Sequence, residues 1–156
     1  MPFDYLPVFV EKAAGKPVRR LVHPSHNGWQ PLVPDLSSAR IALLTSTALR
    51  TPDQSPFVPP DDAGYRPIPA EPDATDLVMD HRSPLGLTPR EDPEVVFPRA
   101  ALKSLAQSGL IASYARTYFS FVGGTRNHQG IEKDLAPALA RALKDENVNL
   151  ALLVPF

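Results

Sequence analysis

Apolar residues along this chain fall into short runs broken by prolines, and the runs change character towards the last third. Arg40-Ile41-Ala42-Leu43-Leu44-Thr45 is a continuous apolar stretch, the pattern of a strand buried on both faces of a parallel sheet. Leu77-Val78-Met79 predicts a short second core strand, and Tyr118-Phe119-Ser120-Phe121-Val122 a third that ends at Gly123-Gly124. Residues 149–155 predict a final strand. Pro98 is well placed to start a helix with Leu102, Leu105 and Ala106 facing inward and Gly109 as its stop. A second helix is expected over 129–146, where Ile131, Leu135, Leu139 and Leu143 recur four apart on one face. Pro137 lies inside that pattern, so it either kinks the helix or marks its true first turn.

The remaining segments are less regular. Residues 4–14 predict a short amphipathic helix with Pro7 in its first turn, and residues 15–38 an extended, proline-punctuated arm that carries Trp29. Residues 47–75 read as a long Pro/Asp-rich excursion with an edge strand at Tyr65 to Ile68, and 81–94 as a further loop. The succession of strands and helices is that of one α/β domain. It should be a small three-layer unit whose mainly parallel sheet has four strands or slightly more, with long Pro-rich loops. Crossovers between its parallel strands should be right-handed. The loops leaving the strands at Thr45-Ser46, Asp80-His81, Gly123-Gly124-Thr125 and Phe156 should then meet along one edge, where such sheets carry their ligands.

Composition narrows the classes of function. With 16 Lys and Arg against 17 Asp and Glu, and no basic stripe or acidic block, nucleic acid and membrane surfaces are poor partners. The start, Met1-Pro2-Phe3-Asp4, has neither the basic flank nor the apolar stretch of a signal peptide, so a cytoplasmic location is expected. The chain has no cysteine, which removes disulfides, thiolate zinc sites and thiol catalysis by its own residues. Of its 19 prolines, 17 lie at or before Pro98, so loops and short strands should dominate the first two-thirds.

Several residues are candidates for chemistry. His81 follows a strand directly, between Asp80 and Arg82, as a carboxylate-binding or proton-transfer group at the sheet edge, or as a polar loop residue tied to its local backbone. Thr45, Ser46 and Thr47 offer hydroxyls for a carboxylate or phosphate, a role that competes with turn and cap formation. Gly123-Gly124-Thr125-Arg126 offers backbone amides and a guanidinium to an anion, although its glycine spacing fits neither a phosphate-loop nor a dinucleotide fingerprint. His128, near the start of the last helix, is placed to join the same edge. His23-x-x-His26 has a metal-binding spacing but no evident third ligand, and no metal site is assigned. A hydrolase or isomerase using His81 with the hydroxyl cluster stays open, but no nucleophile elbow is present.

An ordered set of segments carries a family resemblance: Trp29-x-Pro31-Leu32, Ser38 to Thr45, Ser55-Pro56-Phe57, Tyr65-Arg66-x-Ile68-Pro69 and Asp76-Leu77 leading to His81. It continues through Val96-Phe97-Pro98, the helix to Leu105 and Gly109, Phe119-Ser120-Phe121-Val122-Gly123 and Leu152-Leu153-Val154-Pro155. In this order and spacing the chain resembles the selenoprotein B family of the glycine, sarcosine and betaine reductases and the related D-proline reductase subunit. The resemblance implies reductive cleavage of a carbon–nitrogen bond, by a selenocysteine or cysteine just beyond the last strand. It also implies a dithiol or thioredoxin electron donor and a small amino-acid-like or amine ligand. The family's polar pair after the histidine matched by His81 is replaced here by Arg82-Ser83-Pro84-Leu85-Gly86-Leu87.

The resemblance therefore predicts a domain that is inactive alone, either cut short before its redox motif or a silent binding or subunit domain, with truncation favoured. No cofactor is expected within the chain itself. An apolar last strand should leave a patch at Leu150, Leu152, Val154 and Phe156, to be covered by the Trp29 arm or by a further subunit, identical or different.

Overall fold

In the computed structural model, the strand Arg40–Thr45 (β1) is the axis of the fold, because every residue after Arg40 is buried. Ala42 and Leu43 are completely inaccessible, and each fully buried leucine or isoleucine there contributes roughly 1.5–3 kcal/mol. Successive side chains of a strand point to opposite faces, so unbroken burial requires cover on both. The structure describes residues 35–59, 61–71, 76–81, 91–125 and 127–156, all within one compact unit, Leu32–Phe156. The expected helix at 4–14 and the arm with Trp29 up to residue 34 lie outside the described residues, as do His23, His26, Arg82 and Arg126.

On one side of β1 runs β7 (Leu150–Val154), parallel and in unbroken register from Ile41 opposite Leu150 to Thr45 opposite Val154. The other side is shared by β5 (Ser113–Tyr114) and β6 (Thr117–Phe121), both parallel to β1. Arg40 faces Ser113 but Leu44 faces Phe119, so two extra residues are absorbed at a bulge around Ala115 and Arg116. β3 (Tyr65–Pro69) pairs antiparallel with β6 and closes that side. The result is a mostly parallel five-stranded sheet in a small α/β domain, with the expected edge strand in place.

Leu77 to Met79 departs from expectation. It does not join the main sheet; β4 (Val78–Met79) pairs antiparallel with β2 (Leu49–Arg50) in a separate two-stranded ladder. The reason lies just after β1. Ala48 has φ of 53°, a left-handed conformation that turns the chain out of the sheet and creates a local edge. Its carbonyl accepts the Asp80 N–H at 3.0 Å, fixing β4 against that edge.

The first helix, α1 (Arg99–Gln107), starts after Pro98 and ends as expected at Gly109, φ 75°. The Gly109 N–H bonds to Ala106 O and the Leu110 N–H to Leu105 O, the paired closure of a Schellman motif. Leu102 is buried, but Leu105 is 37% exposed rather than inward, and the buried position belongs instead to Arg99. The Arg99 guanidinium donates to the carbonyls of Pro69 (3.4 Å) and Glu71 (3.2 Å).

The last helical stretch is α2 (His128–Gly130), a π turn at Ile131–Leu135, and α3 (Ala136–Asp145). Pro137 explains the interruption. A proline ring collides with the carbonyl four residues back in a regular α-helix and brings no N–H, and the widened turn before it relieves both problems. Leu135 and Leu139 are buried, and Ile131 and Leu143 pack against the same core. Among the described residues, no helix is long and apolar enough to cross a membrane.

Candidate functional site

The strand ends at the carboxyl edge of the sheet meet on one residue, Ser46. Its N–H donates to Val154 O (3.3 Å), its carbonyl accepts from the Gly123 N–H (2.8 Å), and its Oγ accepts from the Phe156 N–H (2.9 Å). Ser46 thus joins the ends of β1, β6 and β7. Gly123 makes this approach feasible, because a Cβ there would sit 3.0 Å from the Ser46 Cβ, O and Oγ. Gly124 follows at φ 67° with open space where a side chain would be.

The other expected loop arrives through His81, whose ring packs edge-to-face on Phe156 with centroids 5.2 Å apart. His81, Phe156, Ser46 and Gly123 therefore form a connected series, and the convergence expected of these loops is present. Beyond Gly124, Thr125 Oγ1 accepts the Asn127 N–H (3.1 Å), and Asn127 Oδ1 caps α2 through the Gly130 N–H (2.9 Å). His128 is exposed on that first turn.

Other candidates are held inward. Thr45 and Thr47 are both inaccessible, and their hydroxyls bond to each other at 3.0 Å. The Asp80 carboxylate accepts from Arg50 Nε (2.8 Å) and the Phe57 N–H (2.7 Å), pinning the excursion to β2. Sequence reading missed Arg50, Asn127 and Ala48. An Asn three residues before Gly130 was a legible cap signal, whereas nothing in the sequence marks an alanine for a left-handed turn.

The amino end of the sheet is tied differently. Glu146 Oε2 accepts the Arg116 N–H (2.7 Å) and lies 3.4 Å from Arg40 Nη2, while Arg40 Nε donates to the Glu146 carbonyl (2.7 Å). Burial pushes the Glu146 carboxyl up, but the Arg116 N–H, the Thr117 hydroxyl and the Arg116 and Arg40 guanidiniums outweigh it and hold the group below its ordinary pKa. A shallow cleft of about 440 Å³ lies against β3 and the start of β6, lined by Thr51, Gln54, Pro67, Ile68 and Arg116 among others. It contains none of the residues selected from sequence. No group of His, Asp and Glu suited to a metal occurs among the described residues.

Compared with known proteins, the chain matches no family model and no solved structure. Among curated proteins it is 26% identical over 125 residues to the D-proline reductase subunit gamma of Acetoanaerobium sticklandii. The chain is distantly related to a reductase subunit. The match takes in 80% of this chain and 52% of that protein, so the chain spans about half the length of the curated relative it matches.

Proposed function

We propose that this chain is the ligand-holding part of an amino-acid reductase of the D-proline or glycine, sarcosine and betaine type, and that it is inactive alone. The observation that carries the reading is the junction at Ser46, which brings Gly123, Gly124, Phe156 and His81 to the carboxyl edge of a parallel sheet. Gly124 leaves room beside that junction for a small ligand. Ser46, Thr125 and His128, with Arg82 and Arg126 by their positions in the sequence, are the polar groups by which an amino-acid-like or amine ligand is recognised in this reading, with Asp80 holding the loop that carries His81.

Reductive carbon–nitrogen cleavage takes two electrons, which a dithiol delivers as it becomes a disulfide, through a thiolate or selenolate on the enzyme. With no cysteine, the chain has no residue that performs that transfer, so no redox step is assigned to it. In this reading the group comes from a segment outside the sequence described, in the same polypeptide or in a partner subunit. His81 acts here as a positioning or proton-bearing group rather than the nucleophile. A triad-type hydrolase is the weaker reading, because the Thr45 and Thr47 hydroxyls are buried and Ser46 Oγ already holds Phe156.

The purified chain should release no amine from glycine, sarcosine or betaine, and no ring-opened product from D-proline, when supplied with dithiol. Turnover by this cysteine-free chain would overturn the division of labour proposed.

A further inference from the structure

The two outer strands end the sheet in opposite ways. β3 brings Pro67 and Pro69, which have no N–H to offer a neighbour, and its Pro67 carbonyl is taken by Gln54 Nε2 (2.7 Å). Arg66 of β3 donates to Ser55 O (2.9 Å) and Pro56 O (3.2 Å) and lies 4.1 Å over the Phe57 ring. These features are the usual devices that stop a sheet from growing. β7 has none of them: Leu150-Ala151-Leu152-Leu153-Val154 contains no proline, glycine or charge, and among the described residues it pairs with β1 alone.

Exposure shows what is missing. Leu152 is 43% exposed and Leu153 is 61% exposed, whereas Leu150, Val154 and Phe156 pack against the core. The bare pair is therefore not the same-face set expected from sequence. Adjacent residues of a strand face opposite sides, so one exposed leucine lies on each face. An absent covering layer would bare one face only. An exposed leucine on both faces marks an absent neighbour at the edge, since an added strand brings cross-strand side chains to both faces at once.

We infer that the edge of β7 away from β1 pairs with β7 of a second copy of this chain, antiparallel about a two-fold axis at Leu152, so that two sheets become one. A two-fold axis sets a strand against itself, and a charge near the axis would meet its like. From Asn147 to Phe156 no side chain is charged. An axis at Leu152 sets Leu150 against Val154, Ala151 against Leu153 and Asn149 against Pro155. This pairing does not depend on the ligand reading.

The absence of native cysteine makes the test direct, because Leu152→Cys carries the only thiol of its chain. Mild oxidation should cross-link Leu152→Cys into dimers about tenfold or more faster than Val58→Cys, a control placed on a 71% exposed residue of the excursion, because paired strands hold the thiols at high effective concentration. Sedimentation should give a dimer for the unaltered chain and a folded monomer for Leu153→Lys, a change at an already exposed position. A monomeric unaltered chain, equal cross-linking at the two positions, or a dimer that survives Leu153→Lys would each overturn the inference.

Discussion

The two ends of the parallel strands are tied by different chemistry. At the amino end Glu146 gathers Arg40, Arg116 and a backbone N–H, an arrangement of opposite charges that fixes the starts of β1, β6 and the turn before β7. At the carboxyl end Ser46 gathers Gly123, Val154 and Phe156 through neutral contacts alone, and the glycine that follows leaves open space. The charged end is an ion-pair cluster whose Arg116 also lines the shallow cleft against β3. The neutral end leaves its amides and hydroxyls near an opening. In the reading proposed above, the loop edge is the part that meets the ligand.

Breaking the neutral end should have the largest effect. Gly123→Val puts a branched side chain where even a Cβ meets the Ser46 carbonyl at 3.0 Å. The change should destabilise the fold by about 3 kcal/mol, the upper range for overpacking, read as a lower urea midpoint with an unchanged slope. Gly124→Ala should cost less, about 1 kcal/mol, since open space surrounds it and only the positive φ is strained.

The charged end is tested by pH. The Glu146 carboxyl is held below its ordinary 4.5 in the folded chain, so its contribution is fully present above that value and is lost as pH falls through the folded-state pKa. Glu146→Gln should lower stability by about 1.5 kcal/mol at neutral pH, the range for hydrogen bonds to a charged group. The gap between the two proteins should then shrink as pH drops below 4.5. A gap that stays constant through acid would show that the charge contributes nothing.

The smallest expected effect lies between the two ends. The Tyr118 hydroxyl is buried without a hydrogen-bond partner among the described residues, and burial pushes its pKa up. Removing it as Tyr118→Phe should be neutral or stabilising by up to about 1 kcal/mol, because an unsatisfied polar group is removed and the ring contact with Phe97 is kept. A loss of stability there would mean that the hydroxyl has a partner such as an ordered water.

β1 was legible because two-sided burial writes itself as unbroken apolar sequence, as in Ile41 to Leu44; Leu150 to Val154 carries the same apolar signal although it is only partly buried. Leu77 to Met79 carries the same signal, but its partner was decided by the left-handed turn at Ala48, which no alanine announces. The bulge at Ala115 and Arg116 and the inward turn of Arg99 were hidden for a similar reason. Both depend on carbonyls and carboxylates supplied from distant segments, such as Pro69 O and Glu71 O for Arg99. The edge loops were legible from strand order. That Ser46 is their common anchor was not, since its Phe156 partner is 110 residues away in the chain.

We propose that the neutral carboxyl edge, and not the charged amino end, receives the ligand. Amide NMR of the purified chain titrated with small amino acids tests it most directly. Saturable shifts are expected, concentrated on Ser46, His81, Gly123, Gly124, Thr125 and Phe156, and weakened when Ser46→Ala removes the anchor of Phe156. Saturable shifts centred on Arg40, Arg116 and Glu146, or no saturable shift with any of these ligands, would contradict it.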